Sequence, residues 1–184
     1  MNDNLQPSGS AYFITKPTAM PERHTLSVLV DNEPGILARI AGLFSARGFN
    51  IDSLTVSETE HEKELSRITV VTVARPRVLN QIKLQLERLV PVHKVHDLTQ
   101  EGKCLERELA LVKVAGDGED RVEALRIADA FRAQVVDAST KSFVFEITGK
   151  STKVEQFISL MVPLGLVEVV RTGVAAISRG AQKM

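Results

Sequence analysis

An α+β fold built twice over is predicted by three features of this 184-residue chain. Short β-branched runs alternate with amphipathic helical runs, their order is strand, helix, strand, strand, helix, strand, and that order returns in the second half. Each half is a split βαβ pair, which gives a four-stranded antiparallel sheet with both helices on one face, the ferredoxin-like arrangement. The expected organisation is a tail over residues 1–22, a first domain over 23–98, a linker over 99–103 and a second domain over 104–184.

The elements follow from local pattern. Residues 24–30 (HTLSVLV) read as a strand, and Ile36, Leu37, Ile40, Leu43 and Phe44 fall at helical spacing on one face, with the helix ending near Gly48. Residues 49–58 alternate like a strand, HEKE at 61–64 is a charged turn, and residues 65–73 (LSRITVVTV) complete a hairpin. Pro76 opens a second helix whose stripe is Val78, Leu79, Ile82, Leu86 and Leu89, after which residues 90–98 return as a strand. The polar link TQEGK leads into the second set: a strand at 106–115, a helix at 119–133, a hairpin from QVVDAS and SFVFEIT, a helix at 151–162 and a last strand at 165–173. The repeat also shows in residues, since LFSARGFNID in the first half is answered by AFRAQVVD at the same junction of the second.

Composition narrows the function. Lys plus Arg and Asp plus Glu both total 23, so no broad field draws a polyanion, and aromatic content of 4% without Trp removes the usual base-stacking platforms. Nucleic acid is not the expected partner, and an RNA-binding sheet of this topology would put aromatics on the strands, where LSRITVVTV and HTLSVLV have none. The single cysteine, Cys104, cannot form an internal disulfide and reads as a small apolar filler. The start of the chain has neither a basic lead nor an apolar segment, no run is long enough to span a membrane, and the expectation is a cytoplasmic protein with a mobile Ser/Pro/Asn/Thr-rich tail.

The informative loop is DNEPG, residues 31–35, between the first strand and the first helix. Asn, Pro and Gly are common in plain strand-to-helix turns, and that reading stands beside a functional one. Pro34 suits a helix's first turn, Gly35 leaves the backbone bare, and a small anion could approach the amides of Gly35, Ile36 and Leu37, favoured by the helix dipole. Asn32 offers a donor and an acceptor together, enough to recognise a carboxylate and an ammonium. With Ile36, Leu37 and Ile51 nearby, an amino acid with an apolar side chain is the expected ligand. The second half has GDGED where the first has DNEPG, so this chemistry belongs to the first half alone.

Other motifs carry less. GKST at 149–152 ends like a phosphate loop, but the glycine needed earlier falls on Val144, and Thr152 with Glu155 at capping-box spacing points to a helix start. His93 and His96 stand three apart on a strand, so they point to opposite faces and would not share a metal. No Ser/His/Asp set or dinucleotide fingerprint is present in the sequence.

The strand leading into D-x-x-P-G-x-L inside a βαββαβ unit resembles the ACT domain, a regulatory module that commonly binds amino acids between paired copies. More narrowly, LSVLVDNEPGILARIAGLFSARGFNIDSLTVSETE, LSRITVV, QLERLVPVHKV, ERELALVKV and RTGVAAISRG, in that order over roughly residues 23–181, closely resemble the family of small regulatory subunits of acetolactate synthase (acetohydroxyacid synthase). The resemblance implies a chain without an active site of its own, a homodimer through the ACT domain, and a large catalytic partner holding thiamine diphosphate, a divalent metal (Mg) and FAD. That partner joins pyruvate to a second 2-oxo acid. The small subunit would raise its activity and confer feedback inhibition by valine, leucine or isoleucine. Carried over, Asn32, Pro34, Gly35, Ile36 and Leu37 would hold the effector from one protomer, and Asn50 and Ile51 would complete the pocket across the dimer interface. The alternative is a stand-alone amino-acid sensor of ACT type with another partner.

Overall fold

The structure, a computed structural model, describes residues 20–60, 64–100, 102 and 104–181. Its elements run β1 (Glu22–Asp31), α1 (Ile36–Ser45), β2 (Ser53–Glu60), β3 (Leu65–Ala74), α2 (Pro76–Leu86), β4 (Val92–Asp97), β5 (Cys104–Ala115), α3 (Gly118–Ala130), β6 (Gln134–Ala138), β7 (Ser142–Gly149), α4 (Ser151–Met161), a 3₁₀ turn (Val162–Leu164), β8 (Leu166–Arg171) and β9 (Ala175–Ser178). The first sheet has the order β2-β3-β1-β4 and the second the same order shifted by four strands, β6-β7-β5-β8, with β9 added against β5. β1 already begins at Glu22, inside the stretch read as tail, and residues 1–19 of that expectation lie outside the described residues, as do 61–63 of the HEKE turn.

Each sheet buries one face under its two helices, and the strand alternation decides which residues go there. Leu26, Val28 and Val30 of β1 and Ile68 and Val70 of β3 meet Ile40 and Phe44 of α1 and Leu79, Ile82 and Leu86 of α2. In the second half, Val112, Phe145 and Ile147 meet Ala124 and Ala128 of α3 and Val154, Phe157 and Met161 of α4. Phe157 anchors that core, with its ring 5.6 Å from Phe131 and 6.1 Å edge-on to Phe145.

The expected open face of the first sheet is not fully open. Thr25, Ser27, Thr69 and Val71 point away from the helices, yet all are buried. The reason is β9, an element beyond the last expected strand at 165–173. β9 pairs with the first four residues of β5, Cys104–Ser178 to Arg107–Ala175, and this two-stranded ribbon reaches back onto the first sheet. There Val71, Leu98, Val174 and Ala176 form a third small core with Cys104 packed against it, the filler role expected of that thiol. Polar contacts fasten the ribbon: Thr25 Oγ1 donates to Glu106 Oε1 at 2.5 Å, Arg23 pairs with Glu106 at 2.9 Å, and the Val174 amide donates to Ser53 Oγ at 2.8 Å.

One local expectation fails. Thr152 and Glu155 do not form a capping box, because α4 starts at Ser151 with Lys150 as its N-cap and no side-chain cap hydrogen bond. Ser151 Oγ instead donates to the buried Glu108 at 3.2 Å, and Glu155 is taken by Arg171 Nη1 at 2.8 Å while the same guanidinium chelates Glu108.

Candidate functional site

The DNEPG loop sits at one end of the first sheet, held by backbone bonds from Asp31 N to Pro91 O at 2.9 Å and from Asn32 N to Glu64 O at 2.6 Å. Asp31 also takes His93 Nε2 at 2.6 Å, so His93 props the loop. His96 lies farther along β4, half-buried, and no group of three or more His, Cys, Asp or Glu able to hold a metal occurs among the described residues.

Gly35, rather than Pro34, governs the helix start. It is the N-cap of α1 at φ 88°, and Arg39 N donates to Gly35 O at 3.0 Å, so Pro34 precedes the cap instead of opening the helix. The left-handed backbone is the physical reason, since it turns the chain sharply enough that helical geometry begins only at Ile36. Amides of the first turn have no intrahelical acceptor, no side chain caps α1, and its first turn carries no acidic residue. A Cβ on Gly35 would meet nothing within 4 Å, so the loop presents bare backbone. The equivalent start in the second half differs in charge: α3 carries Glu119 and Asp120 in its first turn, two carboxylates that disfavour an incoming anion.

Asn32, Pro34 and Gly35 are exposed, and Leu37 is 40% exposed beside them. Ile36 differs from expectation: its side chain belongs to the first core at 6% exposure, leaving its backbone to face the loop. Asn50 and Ile51 are not brought to the loop at all. They lie just before β2, where Asp52 N bonds to Val71 O, and Asn50 O accepts Thr72 Oγ1 at 2.6 Å. Asn50 Nδ2 donates to Asp52 Oδ1 at 2.6 Å, and Ile51 leans on the first core. Register gives the separation: Ser53 is level with Val71 and hence Thr25, whereas the loop follows Asp31, six residues farther along β1. At about 3.4 Å per residue that is about 20 Å, too far for one small ligand within one chain.

Comparison with known proteins agrees with this architecture on both halves. A sequence model described as an AHAS small subunit-like ACT domain matches residues 26–94, and one described as the small subunit of acetolactate synthase matches residues 107–180. A protein of Archaeoglobus fulgidus described as a probable acetolactate synthase small subunit is 46% identical over 161 residues, covering 88% of this chain and 99% of that one. The chain belongs to the acetolactate synthase small-subunit family. A second small subunit of this enzyme, from Mycolicibacterium smegmatis, is 45% identical over 157 residues, or 85% of this chain and 91% of its own. The crystal structure of the acetolactate synthase small subunit from Thermotoga maritima superposes with a TM-score of 0.78 at 39% identity, over 88% of this chain and 99% of that one. Membership in this family accounts for the two tandem α+β units and for the ACT character of the first.

Proposed function

We propose that the chain is the regulatory subunit of a two-component acetolactate synthase, activating a large catalytic subunit and conferring feedback inhibition by a branched-chain amino acid. The observation that carries the reading is the helix start at Gly35 in the ACT half, with bare backbone, no acidic residue in its first turn and Asn32 beside it, set against the start of α3, which carries Glu119 and Asp120. It offers amide donors for a carboxylate, Asn32 for the ammonium, and the half-exposed Leu37 for an aliphatic side chain. Thiamine diphosphate, the divalent metal and FAD then belong to the catalytic subunit, where the carbon–carbon bond is made.

The half-site needs a second copy. β2 is an edge strand of the first sheet, and two β2 edges paired antiparallel about a twofold axis put the start of one strand level with the end of the other. The partner's start of β2, with its Asn50 and Ile51 equivalents, then comes level with the DNEPG loop, which removes the separation of about 20 Å. An effector touching both chains favours the dimer arrangement it fits best, and a coupling of about 1–3 kcal/mol is enough for marked inhibition.

The test is acetolactate formation by the matching catalytic subunit, with and without this protein, across a valine titration. Activation that valine reverses supports the reading. An unchanged rate and no valine response, with both proteins folded, would favour a stand-alone sensor.

A further inference from the structure

A second recess lies on the face of the first sheet turned away from α1. Its floor is that sheet and its wall is the β5–β9 ribbon from the second half, enclosing about 300 Å³. Thr55 and Ser57 of β2 stand opposite Thr69 and Arg67 of β3 in register, and with Thr59 four hydroxyls and one guanidinium share this floor. Arg107 and Ile177 stand on the wall.

The charges that line this recess are unbalanced. Arg23, Arg39, Arg126 and Arg171 each pair with a carboxylate. Arg67 makes no hydrogen bond or ion pair among the described residues, and its Nε is fully buried without a partner; Thr55 Oγ1 is buried and unpartnered beside it. Arg107 donates only to a backbone carbonyl, that of Glu106 at 2.8 Å. Two guanidinium groups, Arg67 and Arg107, therefore line one recess without a carboxylate partner, and that recess suits an acceptor. The recess surface is otherwise mostly apolar, and no Asp or Glu lines it. That combination accepts a carboxylate with a short hydrocarbon body, and it has no carboxylate to balance an ammonium.

We propose that this corner binds a short aliphatic carboxylate carrying no ammonium group, such as a branched 2-oxo acid. It is a different site from the amino-acid loop: it lies on the opposite face of the sheet, and it bridges the two halves of the chain. A ligand there would tie the ribbon more tightly to the ACT sheet.

The experiment uses a matched pair of probes, 3-methyl-2-oxobutanoate and valine, which share a carbon skeleton and differ at C2, with inorganic phosphate as a third arm. The full chain is titrated by calorimetry and by NMR of the Arg67 Nε–H and the Thr55 and Thr69 amides. The oxo acid should give saturable shifts at these groups; Arg67→Met should weaken them at least tenfold, and Gly35→Asp should leave them unchanged. Ala175→Leu, which narrows the recess from the ribbon side without touching the arginine, should also weaken the oxo acid. The proposal is overturned if valine or phosphate shifts the same groups as strongly, if Arg67→Met and Ala175→Leu both bind normally, or if no saturable shift occurs.

Discussion

The interchain character of the amino-acid site is testable by complementation. Gly35→Asp places a carboxylate on the bare helix start of α1. Since a Cβ there meets nothing within 4 Å, the cost to folding is the left-handed backbone alone, about 1–2 kcal/mol, partly offset by about 0.3–1 kcal/mol from the helix dipole. Against an effector carboxylate about 5 Å away, repulsion amounts to about 0.8 kcal/mol at the dielectric of water and about 3.3 kcal/mol at an effective dielectric of about 20. Valine affinity should thus fall by a factor of about 4 to about 250. Asn50→Ala should weaken feedback from the other side of the pocket. Each homodimer has two damaged pockets, but a mixed dimer combines both defects in one pocket and leaves its other pocket intact. Random mixing should therefore restore normal affinity to about one pocket in four. The assay is valine inhibition of acetolactate formation with each variant alone and after co-refolding. Recovery requires residues from two chains; no recovery, with mixed dimers demonstrated, would place the whole site within one chain and sink the argument from register.

Four other changes probe the scaffold. Gly165→Ala should destabilise by about 3–5 kcal/mol in chemical denaturation, because the position has φ 90° and the added Cβ would lie 2.0 Å from Ala115 O, whereas Gly35→Ala should cost only the backbone term of about 1–2 kcal/mol. Asp97→Ala should cost about 2–5 kcal/mol in the same assay: the carboxylate is fully buried, accepts the Thr99 amide at 3.0 Å and lies 3.3 Å from His24 Nδ1. On the second sheet, the hydrogen bond and charge of Lys113 hold Glu168 below the ordinary carboxylate range, while Glu168 raises Lys113. The Glu168 contribution is present above its unfolded pKa and lost as pH falls through the depressed value, and the Lys113 contribution is lost as pH rises through the raised one. An NMR titration should show Glu168 returning toward its usual range in Lys113→Ala, and an unchanged Glu168 would refute the pairing at 2.8 Å.

The core was legible because it obeys period. Leu26, Val28 and Val30 alternate, and Leu79, Ile82 and Leu86 repeat at helical spacing, so burial follows from pattern. Caps were less legible: Thr152 and Glu155 have the spacing of a capping box, yet α4 starts one residue earlier at Ser151, and Arg171, distant in sequence, takes Glu155. The ribbon escaped notice because Val174–Ile177 is a short apolar run directly after the last strand, and only its pairing with Cys104–Arg107 shows it to be separate. Burial of Thr25, Ser27 and Thr69, polar residues on the face turned away from the helices, is what the ribbon explains.

The two halves show how one topology is made to do different work. Their strand orders are the same, yet the first turn of α1 carries no acidic residue, while that of α3 carries Glu119 and Asp120. The first sheet lends its outer face to a ribbon from the second half, so the ACT unit is joined to its neighbour by a packed face and not by the 99–103 link alone. On the proposed regulatory reading, an effector that shifts one β2 edge against another would move a sheet onto which Val174 and Glu106 are fastened, so the hydrogen bonds of Ser53 and Thr25 would carry that shift toward the second domain without any change in the linker.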